Sequence, residues 1–463
     1  MERKNAWAAY AGDDGKVEAF AKAYCDFINN GKTERECVAY GEKLAKAHGF
    51  EDLNAVVRSG RKLNAGARVY ANWMGKSFML FVLGEKPLEE GMNILGAHID
   101  SPRIDVKQNP LYEDTDLAYL DTHYYGGIKK YQWVAIPLAL HGVIVRKTGE
   151  KVIINIGEDE NDPVFCISDL LVHLAQEQMT KNAKEVVEGE ALNLIVGGRP
   201  LEGEEKDAVK ANVLKLLADK YGVEEEDFLS AELEIVPAGK ARDMGFDRSM
   251  ILAYGHDDRV CAYPSMMAVL DYEGTPEYTL CCIVTDKEEI GSVGATGMAS
   301  HYLENTVAEL YACTADYCEL AVRRCLRNSR MLSSDVSAGY DPNFASAFEK
   351  KNSAFLGRGI CFNKFTGSRG KSGSNDANPE FMASLRKIMD DAGVAFQTAE
   401  LGRVDLGGGG TIAYLCAKYG MNVIDSGIPV LSMHAPYEVV SKVDLYEGYR
   451  GYCAFLRGAK PVE

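Results

Sequence analysis

The chain has 463 residues, 46% of them hydrophobic, and a formal net charge of −17. That length and apolar content suffice for a large core and for more than one domain. The acidic balance argues against nucleic acid or an anionic membrane as the main partner, because both attract Lys- and Arg-rich surfaces.

The N-terminal stretch MERKNAWAAYAGDDGK lacks the continuous apolar core of a signal peptide, and no later run is long enough to span a bilayer. A cytoplasmic protein without a membrane partner is expected. From Lys16 to His48 the period is helical, with Val17, Phe20, Ala21, Tyr24, Phe27 and Ile28 on one side and a second helical stretch from Thr33. ARVYANW and SFMLFVLG then read as a hairpin around Met74 to Lys76, with Gly75 supplying the turn. The apolar run from Met92 to Ala97 ends in His98 and Asp100, which point to the same side of an extended chain.

Between about Pro102 and Phe246 the pattern turns strand-rich, with VAIPLALHGVIV and KVIINIG as paired strands, then charged and helical over Glu202 to Glu226. A domain of residues 102–246 inserted between catalytic parts 1–101 and 247–463 is expected. Beyond it strand-like and helical runs alternate: SMILAYG, a helix from Arg259, YTLCCIVTD, a helix from Gly294, ELYACTADY, and VIDSGIPVLSM. This alternation predicts an α/β fold, a mixed sheet flanked by helices on both faces, with sites where loops leave the strand ends.

Five polar islands fall at such exits: HIDSPR at 98–103, GHDDR at 255–259, DKEEIGS at 286–292, SSDVSAGYDPN at 333–343 and SMHAPYE at 432–438. His98, Asp257, Glu289, Asp335 and His434 within them read together as the ligand set of a two-metal hydrolase. Two imidazoles and three carboxylates suit a pair of zinc ions, and cobalt or manganese can use the same donors. Each island has an ordinary structural alternative. Asp257 and Asp258 can cap a helix, Glu288 and Glu289 can form a solvated first turn, Asp335 can be a turn residue, and a lone His98 can be a hydrogen-bonded core residue. His48, His141 and His301 read as ordinary surface or core residues. The twelve cysteines lie mainly in apolar segments without a CxxC pair, which reads as buried, reduced thiols; a metal role for Cys313, Cys318 and Cys325 is not expected.

The islands, together with THYYGGIKKYQW at 122–133, resemble the aspartyl aminopeptidase and aminopeptidase I family of metallopeptidases, in that family's order and over nearly the whole chain. The resemblance implies a zinc-exopeptidase-like catalytic domain interrupted by a β-rich dimerisation domain, and a tetrahedral dodecamer whose active sites face an enclosed chamber. It implies two divalent metal ions per subunit, with His98 and Asp335 on one, Glu289 and His434 on the other, and Asp257 bridging. Glu288 would be the general base, pointing away from Glu289 in an extended segment, and Asp100 would orient His98 through its other ring nitrogen. The expected substrates are peptides with a free N-terminus, losing an acidic or neutral first residue.

Three further positions bear on substrate. The glycine run Gly407–Gly410, with Gly409 inside it, can bring backbone N–H groups close to a ligand or can be a tight strand-to-helix turn. Lys364, Arg369 and Lys371 can supply the cation that an acidic side chain needs, or can form a solvated loop. His173, within DLLVHLAQ, is the candidate for the histidine that in some relatives reaches the neighbouring subunit's site. A deacylase or carboxypeptidase with the same dinuclear site, and a non-catalytic assembly protein on the same fold, are the rival readings.

Overall fold

Cys281 and Cys282 are adjacent in sequence yet belong to two different hydrophobic cores, the period-two alternation of a strand buried on both faces. Leu95 and Leu332 share one core, Ile94 and Met331 the other. The computed structural model, which describes residues 4–462, carries them in a mixed nine-stranded sheet. Its order is Glu51–Asp52, Arg68–Trp73, Ser77–Val82, Thr279–Thr285, Met92–His98, Arg330–Ser334, Asn422–Gly427, Ile360–Asn363 and Phe396–Thr398. The strands Thr279–Thr285, Met92–His98, Arg330–Ser334 and Asn422–Gly427 are adjacent and parallel. Residues 1–3, the start of the stretch read for a leader, and residue 463 lie outside the described residues.

Helices cover both faces. Gly15–Asn30, Glu34–Ala47, His256–Leu270, Pro379–Asp391 and Lys442–Gly458 pack into one core, and Leu53–Ser59, Tyr302–Thr314, Glu319–Asn328 and Ala413–Ala417 into the other. The fold is α/β, as the alternation of apolar runs predicts. The helix Glu34–Ala47 starts at Thr33, whose side chain and that of Glu36 form a reciprocal capping box. The hairpin forms as expected, with Trp73 opposite Ser77 and both Met74 and Gly75 at positive φ.

Two expectations from the sequence are corrected. No helix starts at Gly294: positive φ there, and the absence of room for a side chain on Gly297, give turns, and the helix begins at Tyr302. ELYACTADY is not a strand, since most of it continues that helix to Thr314. The strand is instead Arg330–Ser334, whose Arg330 is buried against the Tyr278 ring with its Nε donating to Asn93.

The chain divides into two compact units. The first takes the chain up to Asp100, Ala241–Met433 and the part from Glu438 on; a smaller five-stranded sheet within it includes Met250–Ala253 and Glu438–Ser441. The second comprises Ser101–Lys240 and the short segment His434–Tyr437. Its six-stranded sheet is antiparallel, ordered Lys151–Ile156, Leu138–Val145, Ala231–Pro237, Arg103–Asp114, Leu117–Tyr125 and Leu194–Gly197. The charged stretch between the strands Leu194–Gly197 and Ala231–Pro237 contains the helix Ala208–Tyr221. Among the described residues no helix is long and apolar enough to cross a membrane, and all twelve cysteines are free, Cys318 exposed and Cys313 and Cys325 buried.

Candidate active site

Parallel strands deliver their C-terminal residues to one edge of a sheet, and the loops leaving that edge can converge. His98 is the last residue of its strand, Asp335 follows Ser334, and Asp286 follows Thr285. Gly255, at positive φ, turns the chain from Ala253 into His256 and the non-helical Asp257 and Asp258, which lead into the helix. These elements bring together two overlapping groups of potential ligands, His98 with Asp258 and Asp335, and His98 with Asp257 and Glu289. Within each group the ligand atoms lie within 4.8 Å of one another.

The imidazole is held from both sides. His98 Nδ1 lies 3.0 Å from the Asp100 carbonyl oxygen and 3.3 Å from Asp100 Oδ1, and Nε2 lies 3.3 Å from Asp257 Oδ1. Burial alone would lower the His98 pKa, but the Asp100 and Asp257 carboxylates hold it well above its ordinary value. Asp100 is fully buried, and its two oxygens accept the backbone N–H groups of Glu288 at 3.1 Å and Glu289 at 3.2 Å. The two glutamates stand in a 3-10 turn, Glu288–Ile290, between Lys287 and Gly291, both at positive φ. That corrects the extended segment expected for them: glycine and a left-handed lysine make a tight turn that presents two successive N–H groups to one carboxylate.

The sequence offers Asp258 only a helix-capping alternative, shared with Asp257, and no role is read for Glu438. Asp257 and Asp258 have non-helical backbone angles, ahead of the regular helix that runs on from Arg259; Asp258 Oδ2 lies 3.3 Å from the His98 backbone N–H, while Oδ1, also buried, has no hydrogen-bond partner. Burial pushes the Asp258 carboxyl well above the usual range, and the same cause, with Asp258 next, raises Asp335. Glu438 Oε2 accepts the Asp257 backbone N–H at 3.0 Å from a neighbouring strand. The one available signal for Glu438 was an acidic residue opening the apolar run EVV directly after MHAPY.

So many buried carboxyl groups around a single imidazole leave a surplus of negative charge that is costly in a low dielectric. The donor set fits divalent cations, which would offset that surplus and use both nitrogen and oxygen donors.

The ligand groups do not include the remaining predicted residues. His434 belongs to the second unit, at positive φ, with Nδ1 3.0 Å from the Gly127 carbonyl oxygen. His173 is exposed in that same unit. Lys364 is exposed and pairs with Asp376 at 3.6 Å; Lys371 pairs with the same carboxylate at 2.9 Å. Gly409 donates its N–H to Thr366 at 3.0 Å, in the loop that carries Lys364, Arg369 and Lys371.

Comparison with known proteins identifies the chemistry. The family model for aminopeptidase I zinc metalloproteases (M18) matches residues 27–456. A probable M18 family aminopeptidase 1 of Clostridium acetobutylicum is 58% identical over 459 residues, covering 98% of each chain. The crystal structure of an M18 family aminopeptidase from Thermotoga maritima is similar with a TM-score of 0.94 at 43% identity, covering 99% of this chain and 100% of that one. The S. cerevisiae mApe1 dodecamer structure shares the fold, with a TM-score of 0.75 at 21% identity over 95% of this chain and 97% of that one. These findings do not favour the deacylase, carboxypeptidase or assembly-protein readings. The chain belongs to the aminopeptidase I zinc metalloprotease family, M18, and is a metal-dependent aminopeptidase, a hydrolase of peptide bonds.

Proposed function

We propose that the enzyme removes single residues from the free N-terminus of peptides at a site for two zinc ions, with Glu288 as general base. His98 and Asp335 would hold one ion, Glu289 and His434 the other, and Asp257 would bridge. The observation that carries this reading is the pair of overlapping ligand groups around His98, which include four of these five residues. His434 enters through its motif, SMHAPYE. The ions, when bound, supply Lewis-acid polarisation of the scissile carbonyl and lower the pKa of water.

Glu288 takes a proton from the attacking water as its oxygen bonds to the carbonyl carbon, then delivers that proton to the leaving amine as the C–N bond breaks. Asp100 orients His98 and, through the two N–H groups it accepts, fixes where Glu288 and Glu289 stand. On this reading Lys364, Arg369 and Lys371 meet the substrate's first side chain, with Gly409 on the backbone beside them.

Oligomerisation and localisation belong to the same proposal. Val164, Leu170, Leu171, Val172, Leu174 and Met179 are all exposed within one segment of the second unit, an apolar concentration that favours subunit contact. We take this segment, with His173 in it, as part of a homo-oligomer built from dimers, a tetrahedral dodecamer as in the family. Free cysteines throughout the described chain support a reducing, cytoplasmic setting.

The test is hydrolysis of unblocked aminoacyl substrates with Asp, Glu and Leu termini beside their N-acylated counterparts, with bound metal counted. Cleavage of the unblocked set by protein carrying about two ions per chain supports the reading. Cleavage of the acylated set alone, or full activity with one ion, overturns it.

A further inference from the structure

Asp425 lies near the C-terminal end of the strand Asn422–Gly427, beside Arg330–Ser334, and the mechanism does not use it. Its register partners are Ser333, which leads into Asp335 on one neighbouring strand, and Asn363, which leads into Lys364 on the other. The carboxyl group is 1% exposed. Oδ1 accepts the hydroxyl of Thr411, and that hydroxyl in turn accepts the Ala413 backbone N–H at 3.3 Å. Oδ2 is buried without a hydrogen-bond partner. Burial pushes the carboxyl up to about 7, and the nearby charge of Glu288 adds to the rise.

Thr411 directly follows the glycine run, and that run packs backbone to backbone against the basic loop. Gly409 donates to Thr366 at 3.0 Å, and a Cβ on Gly408 would stand 2.5 Å from the Ser368 Cα. Gly408 is also at φ +112, open to glycine almost alone. The run itself is closed by Gly407 N–H donating to Arg403 at 2.7 Å, where a Cβ on Gly407 would meet the Leu401 carbonyl oxygen. A chain of contacts therefore leads from the sheet edge through Asp425, Thr411 and Gly407–Gly410 to the loop of Lys364, Arg369 and Lys371.

We propose that Asp425 and Thr411 form a lock that sets the position of the glycine run and, through it, of the basic loop against the catalytic edge, making both of them positioning residues for substrate binding. The proposal rests on the aminopeptidase site described above, with that basic loop at the substrate's first side chain. Asp425 touches no reacting atom; it acts by fixing Thr411 at the end of the glycine run. A neutral Asn at 425 keeps the shape but loses the strong acceptor for Thr411, and Val at 411 keeps the size but loses the hydroxyl.

The experiment compares wild type with Asp425→Asn, Thr411→Val, Thr411→Ser and the double variant Asp425→Asn/Thr411→Val. Two readouts are taken from metal-loaded enzyme: the rate of tryptic cleavage after Arg369 and Lys371, and the split of kcat from KM on unblocked aminoacyl substrates. The expected result is cleavage about tenfold faster and KM about tenfold higher in Asp425→Asn and Thr411→Val, with kcat within about threefold. Thr411→Ser should restore wild-type values, and the double variant should be no worse than either single one. Unchanged tryptic cleavage in both single variants overturns the lock, as does a fall in kcat at constant KM or a uniform loss of thermal stability with neither loop readout altered. Tryptic cleavage needs no turnover, so the lock is judged even if the enzyme fails on every aminoacyl substrate, an outcome that would count against the functional reading alone.

Discussion

Asp100 Oδ1 accepts the backbone N–H of Glu288 at 3.1 Å, so the candidate general base is held by its main chain from a residue 188 positions earlier. The other oxygen does the same for Glu289. Replacing Asp100 by Asn leaves one acceptor and turns an amide N–H2 towards an N–H donor. Asp100→Asn should lower kcat by on the order of 10–100-fold with a smaller change in KM. Steady-state kinetics with a metal assay on the same sample checks this, and an unchanged kcat would contradict it.

Glu438 plays the corresponding part for Asp257, accepting its backbone N–H at 3.0 Å from a buried position. Glu438→Gln should weaken metal binding by about 10–100-fold and leave an enzyme whose activity returns with excess metal. Titration of the metal-free protein, read by activity and by stoichiometry, measures it. A loss that no metal concentration restores would mean that Glu438 acts otherwise.

Gly427 ties the fold to the site. A Cβ there would stand 1.7 Å from the Asp335 carbonyl oxygen, a backbone atom that cannot move without carrying Asp335 along. Gly427→Ala should cost about 3 kcal/mol or more of stability, the large end of single substitutions, and should abolish activity in whatever folds. Denaturant unfolding with a parallel assay checks both parts.

His256, the neighbour of Asp257 in the chain, gives a pH dependence through a side chain that is not itself a proposed metal ligand. It is fully buried, with Tyr24 Oη 2.7 Å from Nδ1 and the Ile251 carbonyl oxygen 3.2 Å from Nε2, and burial lowers its pKa to about 3. The folded state thus binds this proton less readily than the unfolded chain, whose histidine titrates near ~6.5. Its contribution is present above about pH 6.5 and is lost as pH falls from there towards 3. The slope is at most ~1.4 kcal/mol per pH unit. His256→Gln should flatten acid destabilisation of the metal-free protein over that window, which unfolding at a series of pH values will show.

The polar islands were legible because each interrupts an apolar or glycine-rich stretch: MNILGA before His98 and TLCCIVT before Asp286 are buried on both faces. Period alone failed where burial carried a charge. Arg330 opens a strand because the Tyr278 ring and Asn93 accommodate it inside the protein, whereas ELYACTADY alternates like a strand but is mostly helix between packed neighbours. Asp258 and Glu438 escaped because their work is done through backbone N–H groups of His98 and Asp257, in one case 160 positions away and in the other 181. No local pattern encodes such a partner. His434 was legible only through its motif, and the structure groups it with the second unit.

The measurement closest to the central claim is hydrolysis of unblocked aminoacyl substrates by wild type and Glu288→Gln, with metal quantified in both. The account predicts wild-type turnover and a loss of about 100- to 10,000-fold in the variant, with about two ions per chain retained in each. Comparable turnover by Glu288→Gln at full metal occupancy would contradict the assignment of Glu288 as the base.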